Sequence, residues 1–257
     1  MILVVLLLIL EMGLQAAPIA GKMPQLKGRI KSVFAERATP NSRSREDEGA
    51  RGPWYRETYD DRGRLAELIV FNENGLVNNT WIYTYADDGR LTQREVYDSN
   101  DLLKWREVSA YDEKGTLLEV RLFGPNGLST AKYFFKYDNM GRKTESVRSE
   151  TNGREYTNES YKYDSKGQIG EELLFAAPGL LDFRLEYTYD QDGNVKSKLV
   201  YSGNGSLEHR WTYKYKYDSR GNWVEQAGTD RQEARSRDSS PEVYETIYRR
   251  IVYQDVK

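Results

Sequence analysis

Within 19 residues near the middle of the chain stand Lys143, Glu145, Glu155, Glu159 and Tyr161, a lysine, three carboxylates and a phenol. If Glu145 and Glu159 face each other across two strands, they form a carboxylate pair. Retaining glycosidases hold their acid and nucleophile about 5–5.5 Å apart, so the pair makes a carbohydrate-active enzyme one reading of the chain. Like charges directly opposite in a sheet cost stability. A bound cation, a shared proton or a ligand would offset that cost, and so would the Lys143 ammonium by itself. The five residues are therefore read as a candidate ligand patch, with no catalytic, cofactor-binding or metal residue assigned.

Other chemistries are narrowed by what the chain lacks. Cysteine is absent and His209 is the single histidine, which removes disulfides, thiolate nucleophiles and multi-histidine metal sites. His209 itself, beside Trp211, reads as a packed ring. Asp190-x-Asp192-x-Asn194 opens like a calcium loop, but Val195 stands where that motif needs glycine, so it reads as a turn. No cofactor is expected. With 38 basic and 40 acidic residues the formal charge is -2, which gives no general attraction to nucleic acid or anionic membrane.

The elements that must position the patch show themselves as a repeat. Tyr-x-x-x-Gly begins at Tyr59, Tyr85, Tyr111, Tyr137, Tyr163, Tyr189 and Tyr217, with five steps of 26 residues and a last step of 28. A second aromatic follows 12 residues later at Phe71, Tyr97, Phe123, Phe175 and Tyr201, each four residues before a Gly or Asp101. Every period thus holds two turns and two strands. In Asp-x-x-Gly the Asp suits the first position of a type I turn and the Gly takes the left-handed conformation of a three-residue hairpin loop with a bulge. Ala176-Ala177-Pro178-Gly179 does not fit that geometry, because proline is disfavoured at the third position.

Such loops set each repeated Tyr opposite the residue six places on, from Leu65 to Trp223, with Lys143 the polar exception. Each second aromatic likewise faces an apolar residue or Ser129, and Ser149 stands in that place opposite Glu155. Carried along the strands, this parity gathers Trp81, Tyr83, Trp105, Tyr133, Phe135, Tyr161, Phe183, Tyr187 and Trp211 on one face. It also puts there the column Glu67, Glu119, Glu145 and Glu171, and sets Glu107 opposite Arg121. Lys104, Arg106, Lys132, Lys136, Lys162, Arg184 and Arg210 fall on the other, solvated face.

Around the repeats, Ile2 to Leu10 followed by Gly13, Ala16 and Ala17 reads as a signal peptide over residues 1–17, too short for the roughly 20 residues of a spanning helix. Residues 18–53 read as an N-terminal cap strand and polar loop, 54–226 as the repeat domain, and 227–257 as a second polar loop and C-terminal cap strand. The expected location is secreted or periplasmic, without an integral membrane span once the signal is cleaved.

Tyr-Asp-x-x-Gly-(Arg/Asn)-(Leu/Val), clearest at Tyr59 to Leu65 and Tyr189 to Val195, resembles the YD repeats of the RHS family from about Trp54 to Gln226. Ala86 and Lys143 depart from its Asp and Leu. In large members such repeats wind a sheet into a hollow shell, which in the toxins encloses a C-terminal effector. The resemblance implies an all-β fold, a single curled antiparallel sheet of 26-residue hairpins forming an open or partly closed shell. With the signal-like N-terminus and an aromatic, hydroxyl-rich face that suits sugars, the expected function is that of an exported, non-enzymatic scaffold or binding protein whose partner is a glycan or a cell-surface protein. The alternatives are the carbohydrate-active enzyme using Glu145 and Glu159, and an accessory or decayed fragment of an RHS toxin system.

Overall fold

A computed structural model describes residues 26–38, 51–232 and 242–254. The expected signal peptide and the central parts of both polar loops lie outside the described residues. Sixteen strands follow one another: β1 (Ile30–Ala38), β2 (Arg51–Tyr59), β3 (Leu65–Phe71), β4 (Val77–Tyr85), β5 (Leu91–Asp98), β6 (Leu103–Tyr111), β7 (Leu117–Phe123) and β8 (Ser129–Tyr137) form the first half. The second half is β9 (Lys143–Glu150), β10 (Glu155–Tyr163), β11 (Ile169–Ala177), β12 (Leu180–Tyr189), β13 (Val195–Ser202), β14 (Leu207–Tyr217), β15 (Trp223–Gln232) and β16 (Glu242–Tyr253). Both polar loops are shorter than the sequence suggests, since Arg51–Pro53 open β2 and Gly228–Gln232 extend β15.

Every strand pairs antiparallel with its sequence neighbours, and β1 pairs with β16, so the sheet closes into a barrel. This corrects the expected open or partly closed shell. Closure has a local cause in the termini, which together rebuild one more turn. Tyr253 pairs with Ile30 as Tyr59 pairs with Leu65. The Gln254 amide donates to the Arg29 carbonyl at 2.9 Å, the bond that Asp60 makes to Arg64. Lys27-Gly28-Arg29-Ile30 supplies the x-Gly-Arg-Leu half of the motif, with Gly28 at φ 91°, and Tyr253 supplies the tyrosine. Asn222 clamps the joint: its Oδ1 accepts from the Lys27 amide at 2.6 Å, and its Nδ2 donates to the Lys27 carbonyl and the Tyr253 hydroxyl. The strands read as caps are each other's neighbours.

The seven Tyr-x-x-x-Gly turns form as read. In the first, Gly63 donates to the Asp60 carbonyl at 2.9 Å, and the Asp60 carboxylate accepts from the amides of Arg62 and Arg64. Where Ala86 replaces Asp, Asp88 takes the amide and guanidinium of Arg90 instead. Asp101 holds the left-handed position in its turn at φ 58°, a conformation Asp tolerates better than most side chains. Pro178-Gly179 makes a two-residue connection between the paired Ala177 and Leu180, the exception the proline implied.

The repeated tyrosines link consecutive turns. Tyr85, Tyr111, Tyr137, Tyr163 and Tyr189 each donate a hydroxyl hydrogen bond, at 2.6–2.8 Å, to the carbonyl 20 residues back. The sixth member is Tyr215, bonded to Val195 at 2.8 Å, not Tyr217. Counted by this bond the spacing stays at 26 throughout, and the 28-residue step is a two-residue extension of β14 that sends Tyr217 to Asp190 and Asn194.

Register and burial identify the two walls. Trp81, Tyr83, Tyr161, Phe183 and Trp211 are buried and face inward, whereas the side chains of Lys136, Lys162 and Lys216 are 61–75% exposed on the outer wall. The aromatic and basic faces are therefore those expected from parity. Two expectations fail, and the bulges explain both. Tyr59 faces Leu65 but Thr58 faces Glu67, which leaves Ala66 unpaired and turns the glutamate outward. The same reversal carries Phe71 to the outer wall, and a second shift, which leaves Asn78 of β4 unpaired, brings Asn79 and Trp81 back inward.

Candidate functional site

The inner wall of β8 to β11 carries the polar break that the sequence shows at Lys143. That residue takes the leucine position of the turn and is buried, its ammonium 3.8 Å from Glu159 and over the rings of Tyr161 and Phe135 at 4.5 and 5.4 Å. Glu159 is also buried and accepts the Tyr161 hydroxyl at 2.5 Å. Burial pulls the Lys143 pKa below the ordinary lysine value, against the opposing pull of Glu159 and Glu172. Burial and the Glu159 charge push the Tyr161 phenol far up, which keeps it a hydrogen-bond donor. Next along the wall, Tyr187 donates to Glu172 at 2.9 Å.

Of the five residues read as a patch, the structure brings Lys143, Glu159 and Tyr161 together and separates the other two. Glu145 faces outward, bonded to Lys136 at 2.7 Å and to Thr157. Glu155 opens β10 opposite Ser149, exposed at the other rim. Glu159 pairs with Ser146 and Glu145 with Ser160, because a bulge at Asn158 shifts the register. The two carboxylates consequently lie on opposite faces of the sheet, and one substrate cannot lie between them. The paired-carboxylate reading is corrected on that ground. Glu67 and Glu171 likewise meet Arg56 at 3.7 Å and Lys162 at 2.6 Å outside the barrel. Glu119 meets Arg121 on the same wall, and Glu107 turns inward to Arg94, not to Arg121.

Sequence reasoning missed how far this polarity extends. Arg94 is buried on the inner wall and binds both oxygens of Glu107 through one nitrogen, at 2.5 and 2.6 Å. Its Nε and Nη1 have no hydrogen-bond partner within the protein, nor do the Oγ of fully buried Ser146 and the Nε of Arg148. Buried donors are nearly always paired in folded proteins. The Arg148 guanidinium also reaches the Tyr133 hydroxyl at 3.4 Å, and its side chain is 38% exposed, so solvent reaches the wall at that point. Tyr133 is raised in pKa by burial, with the charges of Arg148, Glu159 and Glu107 all acting on it, so these groups form one neighbourhood. Parity counted from the repeated tyrosines puts Arg94, Ser146 and Arg148 on the outer face, and only the bulges after Leu91 and Lys143 turn them inward, so the sequence carried no signal for them.

His209 is packed as read, with its Nδ1 2.5 Å from the Oδ2 of Asp230, whose other oxygen accepts the Arg210 amide. The Asp190 carboxylate accepts the amides of Asp192 and Asn194 within a turn. Among the described residues no group of three or more His, Cys, Asp or Glu side chains could hold a metal, and no helix is long and apolar enough to cross a membrane.

Comparison with known proteins finds the barrel architecture elsewhere. A porin-like protein from Bacteroides uniformis shares it at a TM-score of 0.57 and 13% identity, over 87% of this chain and 96% of that one. A porin-like protein from Bacteroides vulgatus overlaps 90% of this chain and 100% of its own at 11% identity, with a TM-score of 0.33. The Tc holotoxin pore of Photorhabdus luminescens overlaps 79% of this chain but 10% of its own, at 15% identity and a TM-score of 0.36. No curated protein matches the sequence. The family model that matches carries the description Uncharacterised protein and spans residues 42–176, and because this is more than half of the sequence, the chain belongs to that family.

Proposed function

We propose that the chain is an exported, non-enzymatic YD-repeat protein whose barrel binds a neutral polyhydroxylated ligand, a glycan, against its inner wall. One observation carries the reading: the partly exposed Arg148 guanidinium lies over the Tyr133 ring and beside Phe135, and behind it the buried Arg94 and Ser146 hold polar atoms with no hydrogen-bond partner in the protein. Sugars present apolar ring faces that suit aromatic side chains and hydroxyls that suit guanidinium donors and carboxylate acceptors. Glu107 and Glu159 supply the acceptors, and because Glu107 balances Arg94, Glu159 balances Lys143 and Glu150 balances Arg148, the wall favours an uncharged ligand.

The outer wall supports a barrel that stands in water. An outer-membrane barrel turns an apolar band outward, and an Arg or Lys placed at the bilayer midplane costs about 2–4 kcal/mol. Here the outer wall carries ion pairs such as Lys136–Glu145, Lys162–Glu171 and Lys216–Glu225 around its circumference. The polarity is the reverse of a spanning barrel. Outside the cytoplasm a cysteine-free chain holds together through packing and sheet hydrogen bonds alone, as this barrel does.

The test is calorimetric titration of the full chain with a panel of neutral oligosaccharides. Arg148→Met removes the partly exposed guanidinium and should weaken binding about tenfold while the fold is kept. Absence of binding across the panel, or an unchanged affinity in Arg148→Met, overturns the reading.

A further inference from the structure

The two-residue extension of β14 adds a charge to the outer wall. Lys136 and Lys162 each stand one residue before a repeated tyrosine and pair with Glu145 and Glu171, at 2.7 and 2.6 Å. Lys216 holds that place before Tyr217 and takes Glu225 at 2.9 Å. The extension sets a further lysine behind it: Lys214 is exposed on the same face, opposite Ala227. On β13 the residue that the bulge leaves unpaired is Lys196, also exposed, where the other repeats place Ala66, Thr92, Leu118, Thr144, Gly170 and Val224.

Farther along β14, Arg210 stands opposite Arg231 of β15, and both are exposed. Like charges directly opposite in a sheet cost stability. Five exposed cations thus stand on β13 to β15, and among the described residues the carboxylates of these strands on that face are Glu208 and Glu225, since Asp230 is buried against His209. In the adjoining turns, Asp190 and Asp218 are taken up by turn amides and by the hydroxyls of Tyr217 and Tyr253. Between the arginines and the lysines a row of hydroxyls crosses four strands: Thr188, Ser197, Thr212 and Thr229, bonded in pairs at 2.6 and 2.5 Å.

Charge and shape select the occupant. Arg210 and Lys214 are four residues apart on one strand, about 14 Å at the rise of a β-strand, with Thr212 between them. A chain laid along β14 meets cations, then hydroxyls, then cations. Tyr201, the aromatic residue that β13 turns outward here, is covered by the Arg184 guanidinium at 3.9 Å, which leaves unpaired bases a poor stacking platform. The side of a barrel is convex, so a flat bilayer would meet it along a line and leave most of these cations in water, whereas a flexible polymer can follow the strand. A polymer of acidic sugars supplies both partners, carboxylate or sulfate for the cations and hydroxyls for the threonine row. We infer that the outer face of β13 to β15 binds an acidic polysaccharide laid along β14. This face lies on the opposite side of the sheet from the inner wall, and its test does not depend on the neutral ligand proposed there.

Polygalacturonate and dextran sulfate, titrated into the full chain at low salt, probe the two acid groups. At least one of them should bind, with an affinity that falls steeply as salt rises. Lys196→Gln combined with Lys214→Gln should weaken that binding about tenfold and flatten its salt dependence. Lys136→Gln combined with Lys162→Gln removes the same charge from another part of the outer wall, at side chains 61 and 75% exposed, and should leave the affinity within about twofold. Near-ultraviolet circular dichroism should be the same for both double variants. No binding by either polymer, or equal losses in the two double variants, overturns the inference. Single-stranded DNA bound more tightly than either polysaccharide would assign the face to nucleic acid and overturn it as well.

Discussion

The Tyr163 hydroxyl donates to the Lys143 carbonyl across 2.6 Å, tying the turn that follows β10 to the turn that precedes β9. Burial pushes this phenol up to about 12, so it stays a donor through the physiological range. The same bond recurs at a 26-residue spacing from Tyr85 to Tyr215, and it gives the repeated tyrosine a physical reason. The ring fills the inner wall at one rim while its hydroxyl stitches neighbouring hairpins.

Tyr163→Phe keeps the ring and removes the stitch, and should cost about 1 kcal/mol in urea unfolding. Tyr215→Phe should cost as much. Tyr217→Phe should cost less, because Tyr217 is one of the more exposed aromatics and bonds only the side chains of Asp190 and Asn194. Equal losses at Tyr215 and Tyr217 would show that the sequence spacing, not the hydroxyl bond, identifies the repeat unit.

The joint between the termini makes a separate prediction. Asn222 holds Lys27 through two bonds and Tyr253 through a third, and the Tyr253 hydroxyl donates to Asp218. Asn222→Ala should cost about 2 kcal/mol, as a buried amide that leaves its partners unpaired. Its signature is local: amide exchange should quicken in β1 and β16 ahead of β8 and β9. Uniform acceleration around the barrel would refute the joint as the weak point.

Much of this architecture was legible in spacing alone. The seven Tyr pairings from Tyr59–Leu65 to Tyr217–Trp223 follow from a three-residue loop, and all seven occur. Closure was not legible, because its motif is divided between Gly28-Arg29-Ile30 and Tyr253, at opposite ends of the chain. Nor was the outward turn of Glu145, since parity counted from Tyr137 ignores the residue that each bulge leaves unpaired. One unpaired residue reverses every side chain beyond it. Within the candidate site the sequence marked Lys143 and Glu159 by their departure from the repeat, and Tyr161 by its place beside them on the aromatic face. It could not mark Arg94 or Ser146, whose unpartnered atoms depend on three-dimensional neighbours.

His209 contributes a pH dependence with a defined sign. Its hydrogen bond to Asp230 raises its pKa above the ordinary value, against the opposing effect of burial, with Glu208 raising it further and Lys198 lowering it. A folded pKa above the unfolded one means stabilisation that is complete below the unfolded value and is lost as pH rises through the folded value. The stability difference between the parent and His209→Gln should therefore be largest near pH 5.5 and shrink as pH rises above about 6.5. A difference that stays flat from acid to alkaline pH would show that the ring acts by packing alone.

The buried Lys143–Glu159 contact tests whether the inner-wall polarity is held at a cost. Removing one member of a buried pair leaves an uncompensated charge, typically worth about 3–5 kcal/mol, whereas replacing both with apolar residues is often neutral or stabilising. Lys143→Leu restores the residue type of Leu65, Leu91 and Leu117, yet it leaves Glu159 with the Tyr161 hydroxyl as its hydrogen-bond partner, so it should lower stability by about 3 kcal/mol. Glu159→Leu, which matches Leu185 one period on, strands the ammonium and should cost as much. The double variant should return to within about 1 kcal/mol of the parent, the remainder being the lost acceptor of Tyr161. Denaturant melts of the four proteins give the coupling directly. If the double variant is stable yet no longer titrates with the oligosaccharide that the parent binds, the pair is retained for the ligand. Additive losses would instead mean that Lys143 and Glu159 do not interact, and that the 3.8 Å approach is incidental to the packing of β9 on β10.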